Sequence, residues 1–214
     1  MSVMSTATHI VVDLETLGNH PMHGMIMSLG AVRFTMDEPY TSIIAPKNFI
    51  HTNHELYMVI DMNKQQELYG WNFDAETLRW WIDSEEKVEL LRQLVNNKQA
   101  LHVGEAFQLL RQWISAFGGN QETRYLWSHG ATFDCMHLAL KWPQVMGDVL
   151  TSILPFRNIR DTRTLFALYQ ETFGEKVPYA PSTLRHHALV DAMNLATAIQ
   201  HAWKRIKANA TVGG

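Results

Sequence analysis

The chain has 214 residues, 46% hydrophobic and 18% charged, with a formal net charge of −3 and one cysteine, Cys135. That size and balance suit a soluble globular protein with a sizeable core, and the charge excludes one that coats long nucleic acid by bulk positive charge. The lone cysteine excludes an internal disulfide framework and fits a reducing, cytoplasmic setting, and no apolar run reaches the roughly 18 residues of a membrane span. The opening MSVMSTATH lacks a basic segment followed by an apolar one, so no secretory signal is expected. With no repeat, low-complexity stretch or long Pro/Gly/Ser linker, residues 1–214 read as a single domain, ordered from about residue 8 to 207 and frayed at both ends.

In chain order, His9 to Asp13 reads as a buried strand, Met25 to Phe34 as a second and Tyr40 to Ile44 as a short third. Leu56 to Asp61 reads as a strand or an extended segment. Asp74 is the expected N-cap of a helix through Trp81, and Ser84 of another through Leu94. Val103, Phe107, Leu110, Ile114 and Phe117 recur at helical spacing. Arg124 to Ser128 looks like an inner strand, Ala131 to Trp142 a helix, and Asn158 to Asp161 an extended run before a helix over Thr162 to Thr172. The last helix has the clearest stripe: Ala188, Ala192, Leu195, Ile199, Ala202 and Ile206 alternate steps of four and three. Strands first, then strands mixed with helices, predict an α/β layer fold with a partly antiparallel sheet.

Residues two apart on a strand share a face, so Asp13 and Glu15 aim two carboxylates at one spot. Like charges there repel unless something positive lies between them, and hard oxygen ligands suit magnesium or manganese. Taken alone, Asp-x-Glu also fits two solvated acids at a strand end. The apolar approach Ile10-Val11-Val12 places them instead at the tip of a buried strand. Asp134, just after Gly130 and in line with Ala131 and Leu138, is either a further ligand facing inward or an acid favoured by a helix N-terminus.

Asp191 lies at the edge of the last helix's buried stripe. His186 precedes it by five residues, which turns about 140° past a full helical revolution. The two cannot share a helical face, so His186 belongs on the loop or first turn before the helix. A histidine reaching in from there suits a general base; His187 is its rival, and both also read as plain exposed histidines.

In this order, Asp13-Leu-Glu15-Thr16, Phe133-Asp134 and His186-His-Ala-Leu-Val-Asp191 resemble the DEDDh family of 3′–5′ exonucleases, within the DnaQ-like group. The resemblance runs from about His9 to Ile206. Thr77-Leu-Arg-Trp80-Trp81 and Arg160-Asp161-Thr-Arg163-Thr-Leu are similar to the intermediate segments of a phage-type and mycobacterial-type branch. The resemblance implies a ribonuclease-H-like fold whose central mixed sheet, antiparallel first and then parallel, is flanked by helices. It implies hydrolysis of phosphodiester bonds from free 3′ ends of DNA or RNA with two divalent ions, Mg2+ or Mn2+, releasing nucleoside 5′-monophosphates. On that pattern Asp13 bridges both metals, Glu15 and Asp191 hold the one that activates water, Asp134 holds the other, and His186 takes the proton. The spacing His-x4-Asp selects His186 over His187.

For substrate contact the same resemblance points to Thr16 and Leu17, with Gly18 allowing close backbone approach. Phe133 is a base-stacking or a core residue, and Trp80 a stacking platform or an interface residue, whereas Trp81 is expected in the core. Arg157, Arg160 and Arg163 either track phosphates or pair with surface acids, and Asp161 is expected to cap the helix at Thr162. His129 stands where the branch often has asparagine, which bears on sugar or base selectivity unless it is an inert loop histidine. A symmetric homodimer is expected, with no membrane partner. Two readings of other classes are a nucleic-acid-binding domain that has lost catalysis and a small-molecule phosphodiesterase; among nucleases, an endonuclease is a further one.

Overall fold

A computed structural model describes residues 7–41, 49–116, 121–179 and 185–212. Its strands are β1 (Thr8–Thr16), β2 (Ile26–Phe34), β3 (Phe49–His51), β4 (Glu55–Val59), β5 (Arg124–Ser128) and β6 (Ile159–Asp161). They form one sheet in the order β3-β4-β2-β1-β5-β6. β1 to β4 pair antiparallel, whereas β5 joins β1, and β6 joins β5, in parallel. This is the expected mixed sheet, and it puts β1 near the centre. β1 is covered on both faces: of its nine residues only Asp13 is not buried. Among the described residues no helix is long and apolar enough to cross a membrane.

The helices are α1 (Met62–Tyr69), α2 (Ala75–Trp81), α3 (Glu85–Val95), α4 (Val103–Ser115), α5 (Asp134–Met146), α6 (Thr162–Phe173) and α7 (Ala188–Val212). Asp74, Ser84 and Asp161 cap α2, α3 and α6 by accepting N–H bonds from Thr77, Lys87 and Arg163, as their positions predict. α7 packs along β2 and β1, while α4 and α5 pack on each other and reach β4, β1 and β5. The approach of α7 to β2 depends on a glycine. A Cβ on Gly30 would lie 2.2 Å from the carbonyl carbon of Ala188, so a bare backbone at Gly30 sets how near the start of α7 can come.

Several predicted boundaries change. The strand predicted over Tyr40 to Ile44 does not form at Tyr40 or Thr41, and its remainder lies outside the described residues. Tyr40 is tied by its N–H to Gln200 Oε1 at 2.9 Å and by its hydroxyl to Glu55 Oε1 at 2.7 Å, and the edge strand is β3 instead. The helix predicted from Ala131 begins at Asp134, because Gly130, with φ of 105°, opens a turn closed by Phe133 N–H donating to the Gly130 carbonyl at 2.8 Å. The end predicted to fray from Ala208 stays helical to Val212. Phe117 lies outside the described residues. α1 was not predicted, since it has no apolar stripe; its one buried residue is Gln65. That side chain accepts from Ile26 N–H and donates to the Ile26 carbonyl, so it satisfies the backbone at the start of β2.

Candidate active site

Asp13 lies opposite Gly30 in the β1–β2 pair, so its side chain projects on the face that receives α7. Glu15 follows on the same face, and the pairing register shifts between Glu15 and Thr16, an irregularity at the end of β1. Asp191 arrives from the first turn of α7, its own N–H donating to the His187 carbonyl at 3.0 Å. One carboxylate oxygen from each of Asp13, Glu15 and Asp191 lies within 4.8 Å of the others. Asp134, the first residue of α5, is buried beside them and accepts the Leu14 N–H at 3.1 Å, which ties α5 to β1.

Burial is the main force on these acids. It holds Asp13 and Glu15 well above the usual carboxylate range; the charges of Asp134, Glu15 and Asp191 push Asp13 further, and those of Asp191 and Asp134 push Glu15 further. Burial raises Asp134 to about 7, although the Leu14 N–H and the Arg163 charge oppose it. Burial raises Asp191 to about 6, against the His186 backbone N–H and the Arg185 charge. No neighbouring cation outweighs these effects. A buried all-oxygen donor set that repels itself fits a hard divalent cation, which would supply the missing positive charge.

The two adjacent histidines have different surroundings. His186 sits on the turn before α7 with φ of 62°, a left-handed conformation uncommon for a residue other than glycine. Its ring meets Trp80 edge-on at 4.7 Å and lies 6.4 Å from Trp81. Burial, then the Lys87 charge, lowers its pKa, which favours a neutral ring able to accept a proton. His187 instead stacks on Tyr57 at 4.3 Å, within the packing between α7 and β4.

Beside the acids is a cavity of about 320 Å³ whose walls include Leu14, Glu15, Thr16, Trp80, Trp81 and Phe133. Trp81 is buried and donates its indole N–H to the Thr16 carbonyl at 2.9 Å, while Trp80 is 40% exposed. Phe133 is half-buried, lines this cavity and meets His137 edge-on. Leu17 does not line the cavity: it is buried, and its backbone bonds Met25 and Asp74. The close approach at Gly18 is to the chain itself, since a Cβ there would stand 2.8 Å from Gly24 Cα. Arg157 pairs with Glu122, and Arg160 donates to the Arg157 and Ile159 carbonyls over the Tyr125 ring.

His129 lines a second cavity of about 450 Å³, with Arg163, Phe166, Lys176, Val177 and Tyr179. Tyr179 was not anticipated: burial, then the charges of Asp191 and Asp13, drive its hydroxyl pKa upward, which puts it within electrostatic reach of the acids. No spacing pattern leads to it, because it sits on an irregular segment after α6. Gly30 was equally silent in the sequence, although its place opposite Asp13 allows α7 to reach the site.

Residues 8–203 match the model of the family described as the 3′-5′ exoribonuclease Rv2179c-like domain. The chain belongs to this family. No curated protein sequence matches it. Among solved structures it is similar to cell-death related nuclease 4, at 12% identity and a TM-score of 0.56 over 93% of this chain and 64% of that one. The RNase domain of yeast Pop2 gives 14% and 0.54 over 92% and 78%. Exonuclease I of E. coli, in complex with a dT13 oligonucleotide, gives 9% and 0.55 over 95% and 42%. The chain thus spans under two thirds of the first and under half of the last. At these identities the likeness is one of fold, and the fold is ribonuclease-H-like.

Proposed function

We propose that the protein is a metal-dependent 3′–5′ exonuclease that removes nucleoside 5′-monophosphates from free 3′ ends, RNA being its first substrate. The observation that carries this reading is the group of three carboxylates within 4.8 Å at the tip of β1, beside an open cavity with aromatic walls. Family membership supports the reaction and the choice of RNA.

Asp13, Glu15 and Asp191 would hold one divalent cation, with Asp13 and Asp134 serving a second; Mg2+ and Mn2+ suit these oxygen donors. Two such ions, when bound, stabilise the attacking and leaving oxygens of a phosphodiester displacement. The chain's own residues do the rest. Thr16, Trp80 and Phe133 form walls against which the terminal nucleotide is held, with base stacking worth about 1–3 kcal/mol. Leu17, next to Thr16, is held by its backbone bonds to Met25 and Asp74. His186, neutral at working pH and carried on a turn beside the cavity, accepts the proton of the attacking water at an imidazole nitrogen. His187, packed on Tyr57, keeps the turn in place. Residues 1–214 are proposed to act as one exonuclease domain, with the cytoplasm as its setting and a symmetric homodimer as its assembly.

A time course with 5′-labelled RNA and the matched DNA, each with Mg2+, Mn2+ or chelator, tests the reading. The expected result is a ladder shortening one nucleotide at a time from the 3′ end, lost with chelator and with a blocked 3′ end. Internal cuts in the blocked strand, or no shortening with any metal, would overturn it.

A further inference from the structure

The second cavity is walled by α6 residues and by His129, which precedes the Gly130 turn leading to Asp134. Arg163 feels Asp134 from there, and Tyr179 feels Asp13 and Asp191. Its position and its chemistry both bear on what enters it.

Two cations line it. The Arg163 guanidinium lies over Gly130: a Cβ at that glycine would stand 3.1 Å from its Cζ. The nearby acid, Asp161, feels the Arg163 charge but forms no ion pair with its guanidinium. Asp161 takes N–H bonds from Gly130 at 3.2 Å, Ala131 at 2.9 Å and Arg163 at 2.9 Å. Among the described residues neither Arg163 nor Lys176 forms an ion pair. A planar guanidinium fixed at a cavity wall with its donors open suits a phosphate. Phe166 and Val177 give the cavity an apolar wall.

His129 adds a polar group of defined sense. The Thr162 hydroxyl has one proton and donates it to the Ser128 carbonyl at 3.2 Å. In the tautomer that lets Thr162 keep this bond, the 2.9 Å contact between Thr162 Oγ1 and His129 Nδ1 has Nδ1 as donor. In the neutral ring this leaves Nε2 as an acceptor, on an imidazole that lines the cavity. An acceptor beside a phosphate-binding cation suits a ribose hydroxyl, which deoxyribose lacks at the 2′ position.

We propose that this cavity seats the ribonucleotide on the 5′ side of the scissile phosphate, an inference that rests on the exonuclease reading above. Arg163, aided by Lys176, holds that nucleotide's own 5′-phosphate. Phe166 and Val177 support its base, and His129 Nε2 accepts its 2′-hydroxyl. The substrate therefore spans both cavities with its scissile bond over the carboxylates, and two nucleotides are recognised rather than one.

Three substrates separate this proposal from the reading it rests on: 5′-phosphorylated diadenylate (pApA), the same dinucleotide with a 2′-deoxy upstream ribose, and the p-nitrophenyl ester of AMP, which has no upstream nucleotide. In the wild-type protein, kcat/KM for pApA should exceed that for the deoxy analogue at least fivefold. For Arg163→Ala, the ratio of kcat/KM on pApA to that on the ester should fall at least tenfold, mainly through KM. Lys176→Ala, on an exposed loop, should lower the same ratio by a smaller factor and guards against misfolding of the first variant. Ratios within twofold of wild type in both variants, or equal rates on the ribo and deoxy dinucleotides, would overturn the proposal. A wild-type protein that cleaves the ester but does not distinguish it from pApA would overturn it while leaving the exonuclease reading standing. Cleavage of none of the three would overturn both.

Discussion

Two of the places where the described residues bury ionisable groups are resolved differently. At the tip of β1, Asp13, Glu15 and Asp191 converge without a cation to offset them. In α5, Lys141 is fully buried with no hydrogen-bond partner for its Nζ, which lies 4.1 Å over the Trp71 ring. A single buried amine can shed its charge: burial lowers the Lys141 pKa to about 7, and the ring face accommodates what remains. Grouped acids must each be neutralised in turn, and each one left charged raises its neighbours. A lone buried charge is thus explicable by packing, whereas a converging set implies something brought from outside.

The largest effect should come from removing Asp13, on which the charges of the other three acids all act. Asp13→Asn should reduce exonuclease activity about 1,000-fold or more, in line with losing a group that acts as part of a unit. The same change should raise the Tm of the metal-free protein at pH 8 by about 2 to 4 °C, the shift that about 1 kcal/mol produces at this size. A calorimetric scan beside the activity assay checks both. Opposite signs for activity and stability are expected of a functional cluster, not of a structural ion pair.

Next is the approach of α7. Gly30→Ala inserts a Cβ where Ala188 and Leu189 backbone atoms already lie, so α7 must move and carry Asp191 with it. The expected cost is about 3 kcal/mol, read from urea unfolding, with activity falling further than stability explains.

Smaller, and opposite in sign between the two places, is the pH dependence. Asp134 and Asp191 have folded pKa values raised to about 7 and about 6. The stability they contribute is full below about pH 4, their unfolded range, and is lost as pH rises through 6 to 7. The metal-free protein should therefore lose stability over that window, and Mn2+ should restore more of it at pH 8 than at pH 5, because protons and metal compete. Lys141 runs the other way: its folded pKa is lowered, so its contribution to stability rises as pH climbs from about 7 towards about 10. The smallest effect should be that of Lys141→Met, which keeps the stem and removes the amine. It should stabilise the protein at pH 6 by about 1 kcal/mol and at pH 10 by less, as measured by denaturant midpoints.

Much of this was legible in the sequence because it depends on local periodicity. The two-residue spacing of Asp13 and Glu15, the caps Asp74, Ser84 and Asp161, and the stripe of the last helix each follow from the geometry of one element. Placement of His186 on the turn before α7 also followed, since five helical steps cannot bring it beside Asp191. What stayed hidden depends on contacts between distant elements. Gly30 matters through Ala188, Tyr179 through the charges of Asp13 and Asp191, and Gln65 through the backbone of Ile26. The strand expected at Tyr40 failed for the same reason, because that residue is held by Gln200 and Glu55 rather than by a ladder.

The central claim is that the three carboxylates form one metal site, and Mn2+ titration followed by electron paramagnetic resonance tests it without any substrate. The wild-type protein should remove the free Mn2+ signal more effectively at pH 8 than at pH 6, and Asp191→Asn should weaken binding about tenfold or more, the effect of losing one charged ligand. Equal Mn2+ binding by the wild type and by a variant with Asp13, Glu15 and Asp191 all changed to their amides would contradict it.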